Sequence, residues 1–172
     1  MRSALLPVLG ASRDDETLYN GHLNRVESIA FGLVPIGLVS GAGIVTLLLP
    51  IAFPSEYFDG SLGASAQDIF MLLLAGWAMT VLSVPSYTSL QAGTRPWRFT
   101  SLIALVVIMA TLIGWFLINW GADRSVGTAL EMAAYASVAS TFIMLFAGIG
   151  LSQRWSEFKS RGLQWVLTIG LV

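Results

Sequence analysis

Cysteine is absent from this 172-residue chain, which excludes a disulfide framework and any thiolate metal site and leaves the redox compartment open. Histidine occurs once, at His22 in a polar stretch, with no second imidazole or thiol to join it, so no metal is expected. Charge is scarce: 11% of the residues carry one, against roughly 25% in soluble globular domains. With a formal net charge of −1, the chain has no basic stripe of the kind nucleic-acid binders use, and nucleic acid is not an expected partner. Catalytic fingerprints are missing as well. There is no HExxH, P-loop or GxGxxG run and no Ser/His/Asp set. Gly41-x-Gly43 falls inside an apolar run, and Gly148-Ile149-Gly150 closes one. Neither an enzyme nor a bound cofactor is expected.

What the chain has in excess is apolar length. Hydrophobic residues make up 55% of it, too much for one soluble core. Four runs, 28–53, 67–91, 99–119 and 129–151, each reach the ~20 residues that cross a ~30 Å hydrocarbon layer at about 1.5 Å per residue. The fold class is therefore all-α, a polytopic transmembrane bundle of four complete spans with partial helices at both ends. Residues 1–11 are read as the tail of a preceding helix and 12–27 as an amphipathic segment with Leu18, Tyr19, Leu23 and Val26 on one face. Residues 28–151 hold the four spans, 152–161 a loop, and 162–172 the start of a further helix. Pro35 predicts a kink in the first span, and Gly37 and Gly41 form a GxxxG pair expected to pack inside the bundle. Short connections predict helical hairpins. Trp97, Trp115, Trp120 and Trp155 near the span ends suit an interfacial belt.

The few charges are ordered. Arg13 and Arg25 precede the first span, Glu56 follows it, Arg95 and Arg98 follow the second, Asp123 and Arg124 cancel after the third, and Arg154, Lys159 and Arg161 follow the fourth. Bases are retained in cytoplasmic loops, so loops 12–27, 92–98 and 152–161 are expected in the cytoplasm and loops 54–66 and 120–128 outside, in a multi-pass protein of the cytoplasmic membrane.

Ionisable groups within a span are functional candidates because they are costly in lipid. Asp68 and Glu131 are the two here, as ion-path candidates. Both also match capping boxes, Ser65-x-x-Asp68 and Thr128-x-x-Glu131, which satisfy orphan helix amides. The second span closes on Ser83, Pro85, Ser86, Tyr87, Thr88, Ser89 and Gln91. A half-helix so rich in hydroxyls should face protein or a wet cavity, unless the hydroxyls bond back to their own helix; Ser86 and Gln91 are its substrate-path candidates. Arg95 and Arg98 lie at the cytoplasmic end of their span, where setting the topology and contacting a lipid headgroup are the expected roles.

The run Leu6-Pro7 before a charged segment, the span with Pro35, Leu49-Pro50 with Phe53-Pro54-Ser55-Glu56-Tyr57, and Leu90-Gln91-Ala92-Gly93-Thr94-Arg95 together resemble the polysaccharide and oligosaccharide flippases of the multidrug/oligosaccharidyl-lipid/polysaccharide exporter superfamily. Trp120-Gly121 and Gly127-Thr128-Ala129 extend the resemblance over nearly the whole chain. Glu131 departs from the small apolar residues usual there. The resemblance implies part of the second of two six-helix lobes, whose partner is the missing N-terminal lobe. It further implies a lipid-linked saccharide substrate moved across the bilayer by alternating access, its phosphates held by cationic residues, for which Arg95 and Arg98 are the candidates in this chain. Two other readings are a cation-coupled multidrug antiporter of the same superfamily, with Glu131 or Asp68 carrying the ion, and a small four-span scaffold or assembly protein.

Overall fold

A computed structural model describes residues 2–12, 15–58, 64–93, 95–154, 156 and 158–163. Every regular element among them is helical: α1 (Arg2–Ala11), α2 (Glu16–Gly43), a π turn (Ile44–Leu48), α3 (Leu49–Ala52), a 3-10 turn (Ser55–Tyr57), α4 (Ala66–Ala92), α5 (Pro96–Ala122) and α6 (Val126–Ser152). Four stretches are long and apolar enough to cross a membrane, Glu16–Ala52, Ala66–Ala92, Trp97–Ala122 and Val126–Ser152. The expected four-span all-α architecture is present.

The first span departs most from expectation. The amphipathic segment is not a separate helix: α2 begins at Glu16, capped by the Asp15 carboxylate on the Thr17 and Leu18 amides, and runs unbroken through Pro35. The irregularity lies downstream, in the π turn ahead of Pro50. Proline has no N–H and its ring crowds the carbonyl four residues back, and a π turn is a known way to absorb such a mismatch inside a helix. From Glu16 to Ala52 the helical stretch has 37 residues, about 55 Å, so its first turns extend beyond a ~30 Å layer.

The helices alternate in direction, but neighbours in sequence are not always neighbours in space. α6 packs along both α5 and α4, and α2 packs along the other flank of α4 with α1 nearby. The α5–α6 hairpin is close enough that a Cβ on Gly121 would lie 2.9 Å from the Ala129 Cα. α4 and α5, despite their short connection, meet chiefly around an edge-on pair of Tyr87 and Phe99 with centroids 5.0 Å apart. Buried Tyr87, Leu90 and Leu102 form a core there with Met144, Ala147 and Leu151 of α6 around them. Gly37 and Gly41 face α4. A Cβ on Gly37 would collide with the Trp77 ring, and one on Gly41 would lie 2.5 Å from Leu74 Cδ1. The glycine pair therefore serves packing inside the bundle, since without side chains the two helices approach more closely. Outward-facing positions are apolar: Ile36, Val39, Leu47, Ile51, Val107, Leu112, Trp115 and Phe116 are all exposed, the inverse of a water-facing surface.

Trp97 and Trp120 are exposed near opposite ends of α5; Trp155 lies outside the described residues. So do 164–172, most of the segment read as a further helix. Residues 158–163, assigned largely to the last loop, are helical. They lie against α2 through Phe158 on Phe31, with centroids 5.6 Å apart.

Candidate functional site

The start of α2, the end of α4, the start of α5 and the end of α6 converge at one end of the bundle and line an open polar cavity of about 730 Å³. Leu23, Leu90 and Leu151 form its apolar part. Glu16, Tyr19, Asn20, Ser89, Arg95, Arg98, Ser152, Gln153 and Arg154 supply its polar lining. Two helix N-termini and two C-termini meet here, so their macrodipoles largely offset one another. The side chains decide the sign, and three guanidiniums face one lining carboxylate, Glu16.

Local structure explains how these groups are placed. The Tyr19 hydroxyl donates to the Ser89 carbonyl at 3.2 Å, filling one of the carbonyls left open in the last turn of α4. Arg98 Nη1 donates to the Leu151 carbonyl at 3.4 Å and does the same for α6. That helix ends with Gln153 in the left-handed region at φ 58°. The Gln153 amide bonds the Gly150 carbonyl and the Arg154 amide the Ile149 carbonyl, both at 3.3 Å, the pattern of a Schellman cap. This reversal turns Arg154 back toward the bundle.

Arg154 is buried there beside Glu27, with side chains 9% and 4% exposed and Nε 3.2 Å from Oε1. Its Nη2 reaches Asn24 Oδ1 at 3.3 Å. Arg161 Nε approaches Glu27 Oε2 at 3.2 Å, and its Nη1 donates to Ser28 Oγ at 2.5 Å. One carboxylate of α2 thus binds two guanidiniums, one from the end of α6 and one from the segment beyond. Paired burial of this kind is required because an isolated charge at such depth would be prohibitively costly.

Of the residues singled out in the sequence, Arg95 and Arg98 line the cavity together. Gln91 is half-buried in the same last turn of α4, outside the lining. Ser86 is buried between α4 and α6, where a Cβ on Gly148 would lie 3.5 Å from its own Cβ. The hydroxyl-rich half of α4 both faces protein and bonds back to its helix: Ser83 Oγ donates to the Thr80 carbonyl at 2.7 Å and Thr88 Oγ1 to that of Val84 at 2.6 Å. Asp68 is exposed in the first turn of α4 and Glu131 half-buried in α6, both at the end opposite the cavity. The expected capping boxes do not form. Ser65 sits at the N-cap of α4 without a side-chain cap bond. α6 starts one turn earlier than expected, with Ser125 Oγ accepting from the Thr128 amide at 3.0 Å, which leaves Glu131 inside the helix.

Glu27 and Arg154 were not legible as a site. Glu27 stands at the edge of an apolar run and Arg154 in a cluster of loop bases, and those positions carry a topological signal only. Compared with known proteins, the chain matches no family model, no curated protein and no solved structure.

Proposed function

We propose that this chain forms part of a multi-pass transporter, resembling flippases of lipid-linked oligosaccharide or polysaccharide precursors, with its basic end in the cytoplasm. The observation that supports this most is the open polar cavity at that end, lined by four helix ends of an otherwise apolar bundle. A protein that moves an amphiphile has to receive a polar headgroup at one membrane face while its apolar part stays in lipid, and a polar cavity at the helix ends suits that receiving step. No covalent chemistry is required. The lobe that would complete the path is the other half of the same protein.

The test is genetic. Expression of the full parent gene in a strain lacking its flippase restores surface polysaccharide under this reading, and surface glycan that stays absent opposes it. The scaffold reading rests on the glycine-rich first span, of which Gly37 and Gly41 pack on Trp77 and Leu74 of the same chain while Gly32 and Gly43 stand open. The antiporter reading needs a carboxylate in a polar path, whereas Asp68 is exposed and Glu131 lies at the far end from the cavity.

A further inference from the structure

The cavity has a sign, a size and a built wall. Its volume of about 730 Å³ falls within the ~300–1,000 Å³ of small-molecule sites. Arg95, Arg98 and Arg154 line it against Glu16 alone among acids, and guanidinium clusters match phosphate oxygens in charge and fork geometry. Arg154 is not a flexible surface cation. The Schellman turn fixes its backbone, and Glu27 and Asn24 hold its Nε and Nη2, so the orientation of this wall is set by a carboxylate on another helix.

We infer that the cavity binds a phosphate group, with Arg95 and Arg98 as direct contacts and Glu27 as the positioning residue that aims Arg154 into it. The inference deepens the transport reading by naming the chemistry of its receiving site, but it is tested by binding alone. Failed complementation with intact binding would remove the transport reading and leave the site standing. The phosphate has two sources, a lipid headgroup or a free anion.

Glu27 makes the test decisive because its two roles have opposite signs. Removing a carboxylate next to a basic cavity strengthens the positive field, and by field alone Glu27→Gln binds an anion more tightly. If Glu27 positions Arg154, the same substitution weakens binding.

The full chain in phosphatidylcholine nanodiscs is titrated calorimetrically with inorganic pyrophosphate and, separately, with short-chain phosphatidic acid. Binding of both probes shows that the phosphate group suffices, and binding of phosphatidic acid alone assigns the site to a lipid headgroup. Loss of one charge-assisted contact corresponds to about tenfold in affinity, the weakening expected for Arg95→Gln. Glu27→Gln weakens binding as well, and Glu27→Asp, which keeps the charge on a shorter stem, falls between it and the parent. Arg124→Gln serves as a control at the opposite end, where Arg124 lies over the Trp120 ring at 3.7 Å, and leaves affinity unchanged. Binding of neither probe, or equal affinity in Arg95→Gln, overturns the site. Unchanged or tighter binding in a folded Glu27→Gln variant overturns the positioning role.

Discussion

Arg154 and Glu27 are separated by 127 positions in sequence and show how a residue's role depends on its surroundings. In the sequence Arg154 is one of several bases after a span and reports orientation. In the fold the turn at Gln153 and the burial of Glu27 make it the bond between α2 and α6. Breaking a buried pair leaves an uncompensated charge, a change that costs ~3–5 kcal/mol in such cases. Arg154→Met should therefore lower unfolding stability by about 3 kcal/mol, Arg161 still sharing the carboxylate. Arg161→Met should cost less, because its side chain is 26% exposed and water screens the pair. Chemical denaturation in detergent checks both. Gln153 occupies a left-handed backbone conformation that costs a side-chain-bearing residue ~1–2 kcal/mol. Gln153→Gly should raise stability by about 1 kcal/mol after the added freedom of the unfolded glycine is discounted, and an unchanged midpoint would oppose this account of the turn.

The elements were legible where apolar length alone defines them and obscure where a long-range contact does. α4, α5 and α6 follow from uninterrupted apolar runs, to within a turn at each end. The unity of α2 with its first turns was hidden because polar residues 16–27 look like a loop until α4, Arg154 and residues 158–163 give them partners. Asp15 caps this helix. Its carboxyl titrates below the usual carboxylate range because the Thr17 hydroxyl bonds the charged form, helped by the Leu18 amide against a small opposing desolvation. A depressed folded value means the cap contributes fully above the ordinary carboxylate pKa of about 3.9 and is lost as pH falls through the lower folded value. Amide exchange at Thr17 and Leu18, relative to intrinsic rates, should rise over that acidic window. Asp15→Asn should keep the cap and abolish the pH dependence, because asparagine caps without titrating. At the α2–α4 contact, Gly37→Ala must displace the Trp77 ring, an overpacking that costs about 1–3 kcal/mol. Gly32→Ala, with nothing within 4 Å of its Cβ, should be tolerated. Equal stability of the two variants would contradict the packing.

At the scale of the whole molecule, charge and apolarity divide the bundle. Arg25, Arg95, Arg98, Arg154, Lys159 and Arg161 gather at the end with the cavity, alongside Asp15, Glu16 and Glu27, whereas Glu56, Asp68, Asp123 and Glu131 lie at the other with Arg124. Sequence spacing was enough to give that alternation, because each crossing reverses the chain. It could not give the neighbour order, in which α6 separates much of α4 from α5, nor the cavity, which needs four helix ends brought together. Four helices are long and apolar enough to cross a membrane, and the proposed topology puts the basic end, and with it the cavity, on the cytoplasmic side. A chain without cysteine allows this to be measured directly. Single substitutions Arg25→Cys, Glu56→Cys, Arg95→Cys, Asp123→Cys and Lys159→Cys are labelled in intact cells with a membrane-impermeant maleimide, and again after permeabilisation. Labelling of only positions 56 and 123 in intact cells, with 25, 95 and 159 reacting once the membrane is opened, is the expected result. Labelling of 95 or 159 in intact cells, or protection of 56 and 123, would contradict it.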